Sequence, residues 1–230
     1  MTNKILIAKP VVQNQFWIVT DGKEKVGNVL ADGSGFEVKL NGNKTHFKNT
    51  NAIEKQTKIE FQKVKKEKVK QDIEQWIVNF VEVPHPALGG FPPCPYARSS
   101  RLKGSFSVYL GLDPYYDLKH RARHGMGNKE VVIYVYDPVE WPRDLFSTSI
   151  ESANIEHLLS NDLLALEDHP ADPEIVNGVC MNQGTYALAL VQSISDLDAK
   201  ARLMARKGFY DTWPEDYLTA LFQHREDPRK

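Results

Sequence analysis

Cysteine is scarce. Two cysteines in 230 residues exclude a disulfide-stapled scaffold, and no Cys-x-x-Cys pair offers the spacing of a zinc ribbon. No apolar run approaches the ~18 residues that mark a membrane span. The opening MTNKILIAKPVV is broken by Lys9 and Pro10 and carries no cleavage-like site, so it does not read as a signal peptide. The phosphate-cradling Gly-x-x-x-x-Gly-Lys-Ser/Thr loop, the dinucleotide Gly-x-Gly-x-x-Gly turn and the Gly-x-Ser-x-Gly nucleophile elbow are all missing, which removes the usual routes to nucleotide binding and serine hydrolysis. No cofactor is expected. At 41% hydrophobic and 26% charged residues, the chain has the composition of a folded protein, and a cytoplasmic location is the expectation.

Arginine is absent from the first 70 residues, which hold 14 lysines against seven acids. Residues 71–230 hold 15 basic and 23 acidic residues, so a formal charge of −1 is a +7 segment joined to a −8 segment. Such a split marks separate surfaces. Its densest part, Lys63-Val64-Lys65-Lys66-Glu67-Lys68-Val69-Lys70, reads as a Lys-rich linker over 63–70. Lys63, Lys65, Lys66 and Lys68 are candidates for binding a phosphate backbone or an acidic protein. Without arginine, binding to nucleic acid is expected to ignore base sequence. Docking of the basic part on the acidic part of the same chain is a further reading.

The fold class expected is α+β. Residues 1–62 show short strand-like runs at close spacing, clearest in Phe36-Glu37-Val38-Lys39-Leu40, separated by Asp21-Gly22, Asp32-Gly33 and Asn41-Gly42 turns. They predict a small, all-β, SH3-like module. Residues 71–230 predict an α+β domain with a mostly antiparallel sheet. A helix carries Ile73, Trp76, Ile77 and Phe80 on one face and stops before Pro84. Strands are expected at 106–110, 131–136 and 186–191, and helices at 149–166, 196–207 and after Pro214. Asp113 to Asn128 reads as a long loop or a loop with a short helix.

One segment stands apart. Residues 84–104 read PHPALGGFPPCPYARSSRLKG, with five of the 13 prolines between Pro84 and Pro95. A backbone so constrained suits a preorganised site. A helical turn starting after Pro95 puts Cys94 at its N-cap, where the helix end and Arg98 or Arg101 favour a thiolate. Cys94 is thus the candidate nucleophile or ligand, His85 or His169 the base, and Arg98 or Arg101 the anion clamp. The competing reading makes Cys94 a small hydrophobe packing the loop. His120 and His124 stand four apart and are candidate metal ligands, although Arg121 and Arg123 beside them disfavour a cation and are candidates for meeting phosphate instead. Asp168, His169, Asp172 and Glu174 form an acidic group in a Pro-containing loop.

Trp76-Ile77-Val78-Asn79-Phe80-Val81 followed by Cys94-Pro95-Tyr96-Ala97-Arg98 resembles an uncharacterised bacterial family in which a Trp-containing helix runs into a Cys-Pro-Phe-Ala motif. The resemblance covers roughly a tenth of the chain, departs from the family by the insertion of His85 to Pro93 and by Tyr96, and implies no activity. The two-part layout is similar in style to uncharacterised proteins of large tailed bacteriophages. Two function classes follow: a soluble interaction or regulatory protein that binds a protein or a nucleic-acid backbone through its basic module, and a cysteine- or metal-dependent enzyme centred on Cys94.

Overall fold

The computed structural model describes residues 6–12, 16–22, 24–61 and 66–230, with backbone alone at 10–12 and 66. The chain separates into two compact units, Met1–Lys65 and Lys66–Lys230. No helix among the described residues is long and apolar enough to cross a membrane.

The first unit is a curled, mostly antiparallel sheet. Strands β1 (Leu6–Val12), β2 (Phe16–Thr20), β3 (Lys25–Ala31), β4 (Phe36–Leu40) and β5 (Asn43–Phe47) form a meander. Helix α1 (Thr50–Thr57) then leads to β6 (Ile59–Phe61), which pairs parallel to β1, giving the order β5-β4-β3-β2-β1-β6. The β4–β5 hairpin turns on Asn41 and Gly42 alone, with φ of 49° and 86°, the left-handed pair that a tight two-residue turn demands. Side chains alternate across the pleat. Trp17, Val19, Val29, Val38 and Phe47 point inward and are buried with Ile53 of α1 and Ile59 of β6. The unit is not all-β as expected. Asn49 caps α1 by accepting from the Ala52 amide at 2.9 Å, and the one buried side chain of that helix, Ile53, is too little to register as a periodic stripe.

In the second unit, α2 (Lys66–Trp76) begins inside the Lys run that the sequence reads as a linker. Val69, Ile73 and Ile77 make one buried stripe at i, i+4, i+8. A single valine among lysines hides its first turn. The helix continues as a π-turn over Ile77–Val81 and ends before Pro84. Next come α3 (Ala97–Leu102), β7 (Phe106–Leu110), α4 (Pro114–His124), β8 (Val131–Tyr136), α5 (Arg143–Ala153), β9 (Leu163–Asp168), a small hairpin of β10 (Ile175–Val176) and β11 (Val179–Cys180), β12 (Ala187–Ser193), α6 (Ile194–Ala205) and α7 (Glu215–Leu221). The main sheet has the order β7-β8-β12-β9. β7 runs parallel to β8, and β12 runs antiparallel to both of its neighbours.

Large and small side chains alternate across the core of this sheet. Tyr134 faces Ala189 and Tyr136 faces Ala187 in register. Leu118 and Ala122 of α4 and Phe146 and Ile150 of α5 close over them. A second core gathers Leu88, Val176, Val179, Ala201, Met204, Phe209, Tyr210, Trp213, Leu218 and Phe222.

Residues 149–166 form a helix only in part. After α5 the chain makes a π-turn (Asn154–Leu158) and a 3-10 turn, reverses at Asp162 with φ of 56°, and enters β9. Asp162 is held there by Ser193 and Ser195, whose hydroxyls donate to its carboxylate at 2.8 Å each. The π-turn aims Asn154 at the outer edge of β9. Its side-chain amide donates to the Ala165 carbonyl at 3.0 Å and accepts from the Ala165 amide at 2.9 Å, so a side chain stands in for a neighbouring strand. Asn154→Ala strands both buried backbone groups and is expected to cost about 2–4 kcal/mol in urea unfolding. A loss below about 1 kcal/mol contradicts this role.

Candidate functional site

The Pro/Gly-rich segment is a packing element. His85 caps a 3-10 turn over Pro86–Leu88, its Nδ1 accepting from the Ala87 amide at 3.2 Å. Gly89 leaves that turn at φ of 66°, which explains a glycine there. Leu88 is buried in the second core, and Phe91 meets Phe209 edge-on at 5.4 Å. Asn177 pins the segment by donating to the carbonyls of Ala87 and Thr212 at 2.9 and 2.8 Å.

Cys94 does not cap a helix. α3 begins at Ala97 with Tyr96 in the cap position. Burial pushes the Cys94 thiol up, and the Tyr96 and Ala97 amides and Lys200 only partly offset it, so the direction is opposite to that of an activated nucleophile. Among the described residues no hydrogen bond joins Cys94 to His85 or to Arg98, and Arg98 is exposed without an ion-pair partner. Arg101 is committed elsewhere, making two hydrogen bonds at 3.0 and 2.7 Å to Glu82.

The other candidates disperse as well. Lys63 and Lys65 lie outside the described residues, and only the backbone of Lys66 is described. Lys68 pairs with Asp72 along α2 at 2.9 Å. Arg121 turns inward. Its guanidinium lies 5.5 and 5.6 Å from the Tyr109 and Tyr134 rings, and its Nε donates to the Tyr134 hydroxyl at 3.1 Å. Arg123 is exposed. His120 and His124 stack with ring centroids 4.0 Å apart, and His124 Nδ1 donates to the His120 carbonyl at 2.8 Å. Among the described residues no three His, Cys, Asp or Glu side chains gather as a metal site needs.

His169 engages both ring nitrogens, donating from Nε2 to the Trp141 carbonyl at 3.0 Å and accepting at Nδ1 from the Ala171 amide at 3.1 Å. Its acidic neighbours serve the loop. Asn182 is the hub: it donates to Asp168 at 2.9 Å and to the His169 and Asp172 carbonyls, and accepts from the Glu174 amide at 2.6 Å. A cavity of about 530 Å³ beside the C-terminal residues is lined by Thr219, Phe222, Gln223, Arg225, Glu226, Asp227 and Lys230, and none of the sequence-derived candidates borders it.

What remains is the outer face of the first unit. Strand registers place Lys9, Ile18, Asn28, Lys39 and Lys44 in one row across β1 to β5. The row spans about 19 Å at the usual strand spacing. Lys9, Lys39 and Lys44 are exposed. The adjacent row holds Phe16, Leu30, Glu37 and His46. Lys39 lies directly opposite Lys44 in the hairpin, a like-charge pairing that costs stability. Glu37 takes Lys44 at 3.0 Å, and among the described residues Lys9 and Lys39 have no acidic partner. The Asn41-Gly42 turn carries enough information to predict this register, because a two-residue loop makes Leu40 and Asn43 partners and therefore Lys39 and Lys44 the next pair.

Comparisons with protein-family models, with curated proteins and with solved structures return no match.

Two outcomes test this layout. Burial and nearby carboxylates push Glu174 up to about 7, while Tyr217 donates to it at 2.8 Å. The folded chain therefore holds a proton that the unfolded chain releases above about 4.3, so this group's contribution to stability declines as pH rises from about 4.3 to 7. Glu174→Gln is expected to match the wild type near pH 4 and to exceed it by about 2–3 kcal/mol at pH 8 in urea melts. Equal curves at both pH values refute the shift. A thiol reagent at pH 8 is expected to label exposed Cys180 as a free thiol and Cys94 at least roughly a hundredfold more slowly. Comparable rates refute the raised thiol.

Proposed function

We propose that this chain is an interaction protein whose first unit binds a nucleic-acid backbone without regard to base sequence. The observation that carries the reading is the placement of Lys39 opposite Lys44 on an exposed sheet face that also presents Lys9. Glu37 already holds Lys44, so Lys39 and Lys9 are the ammonium groups left to attract phosphate along this face. Lysine acts as a point charge and does not demand a planar partner, which suits a backbone. Ile18, Leu30 and Phe16 interleave with the charges and offer apolar contact to sugars or bases. The five-strand meander supports the SH3-like description of the unit, since that class of module also works through one face of a small curled sheet. The free thiols of Cys94 and of exposed Cys180 suit a reducing compartment and hence a cytoplasmic setting.

Lys39→Glu separates this function from a purely structural face. The like-charge pair with Lys44 is removed while Glu37 keeps its own contact with Lys44, so thermal stability is expected not to fall. Affinity for random-sequence DNA or RNA is expected to fall, and the slope of log K against log salt to shrink by at least about 1. Binding unchanged by the substitution, or no binding of either polymer at low salt, overturns the proposal.

A further inference from the structure

The two edges of the main sheet are finished differently. At β9, Asn154 satisfies both outward backbone groups of Ala165, as above. β7, at the other edge, has no such seal. Its residues Ser105, Ser107, Tyr109 and Gly111 face β8, as shown by the Val131 amide donating to Ser105 and the Gly111 amide donating to the Val135 carbonyl. The N–H and C=O groups of Phe106, Val108 and Leu110 therefore point away from the sheet, and among the described residues they have no partner.

Natural edge strands are guarded by charge, proline or a bulge. β7 has none of these: Ser105 to Leu112 holds no charged residue and no proline, and the β7–β8 register is unbroken. Apolar side chains crowd the same edge. Tyr109 is 41% exposed, Leu110 43% and Leu112 86%.

We infer that β7 pairs antiparallel with β7 of a second copy of this chain, about a two-fold axis through Val108. In that register Val108 faces Val108 and Phe106 faces Leu110, so every outward N–H meets an outward C=O. Charge selects this arrangement. At the start of the strand, Lys103, Lys129 and Lys200 outnumber Glu130 and Asp196. At its end, Asp117 accepts from the Leu112 and Asp113 amides, and Asp113 caps α4, so two carboxylates there outnumber Arg121, which lies over the Tyr109 ring. Antiparallel pairing brings each basic end to an acidic one. A parallel partner sets like against like.

Equilibrium sedimentation of the full chain at about 0.1 mM tests the pairing. A species of twice the 26.2 kDa chain mass is expected. Leu110→Pro deletes one outward N–H without touching the bonds to β8, and Leu110→Lys adds the missing guard charge. Each is expected to weaken the dimer by roughly tenfold or more while the circular dichroism spectrum stays unchanged. In the wild type, the Val108 and Leu110 amides are expected to gain protection from hydrogen exchange as concentration rises. A monomer at every loading overturns the inference, as does a dimer that both variants leave intact or protection that ignores concentration.

Discussion

The second unit is organised around two tyrosines that need space on one side and a polar partner at the tip. Tyr134 and Tyr136 stand on the same face of β8, and the strand beside them answers with Ala189 and Ala187. Gly111 is forced by the same rings, since a Cβ there would strike Tyr136. The hydroxyls then fix α4. Arg121 donates to Tyr134, and Tyr136 donates to Asp117 at 3.2 Å. A buried hydroxyl without a partner costs several times what a surface contact returns, so the helix is anchored at both points. Tyr109 stacks on Tyr134 at 5.6 Å beneath the same guanidinium, which brings β7 into the sheet. The edge strand is thus held by its inner face, and its outer ladder is left open.

This explains which elements were legible. β7 and β8 were readable to the residue, because an apolar, β-branched and aromatic run bounded by Gly and Asp-Pro has one reading. β9 was hidden: Leu158, Leu163 and Leu166 continue the stripe begun by Ile150, and a helix and a buried strand share that pattern. The break lies at Asn161-Asp162, two residues that tolerate left-handed backbone and that a leucine count overlooks. α4 hid in a polar stretch for the opposite reason. Only Pro114, Leu118 and Ala122 of its residues are buried, while its Asp113 cap and Pro114 start were present as signals.

The conspicuous motif and the proposed binding surface are different things. Five prolines around Cys94 suggested chemistry, yet a rigid loop is equally what a second core needs when it must be closed by a chain segment without a helix of its own. Leu88 and Phe91 do that closing. Convergence of His85, Cys94 and Arg98 was beyond sequence, because it depends on loop path and not on local pattern. The lysine row was within reach, since register follows from the turn. It is inconspicuous because the lysines that share a face are scattered through the sequence, whereas the Lys63 to Lys70 run is contiguous.

Charge gains its meaning from what each unit does with it. In the second unit the basic groups are largely consumed at home: Arg101 by Glu82, Arg143 by Asp172, Lys200 by Glu130, Arg229 by Glu215 and Asp227, and buried Arg225 beside Asp198. Such pairs hold elements together and leave little field for a ligand. In the first unit, among the described residues, Lys9 and Lys39 have no acidic partner, and Lys39 is set against another lysine. Glu37 takes Lys44 on the same face, so Lys9 and Lys39 are the charges left for an external anion, and that is why the lysine row, with the weaker sequence signature, supports the proposed reading.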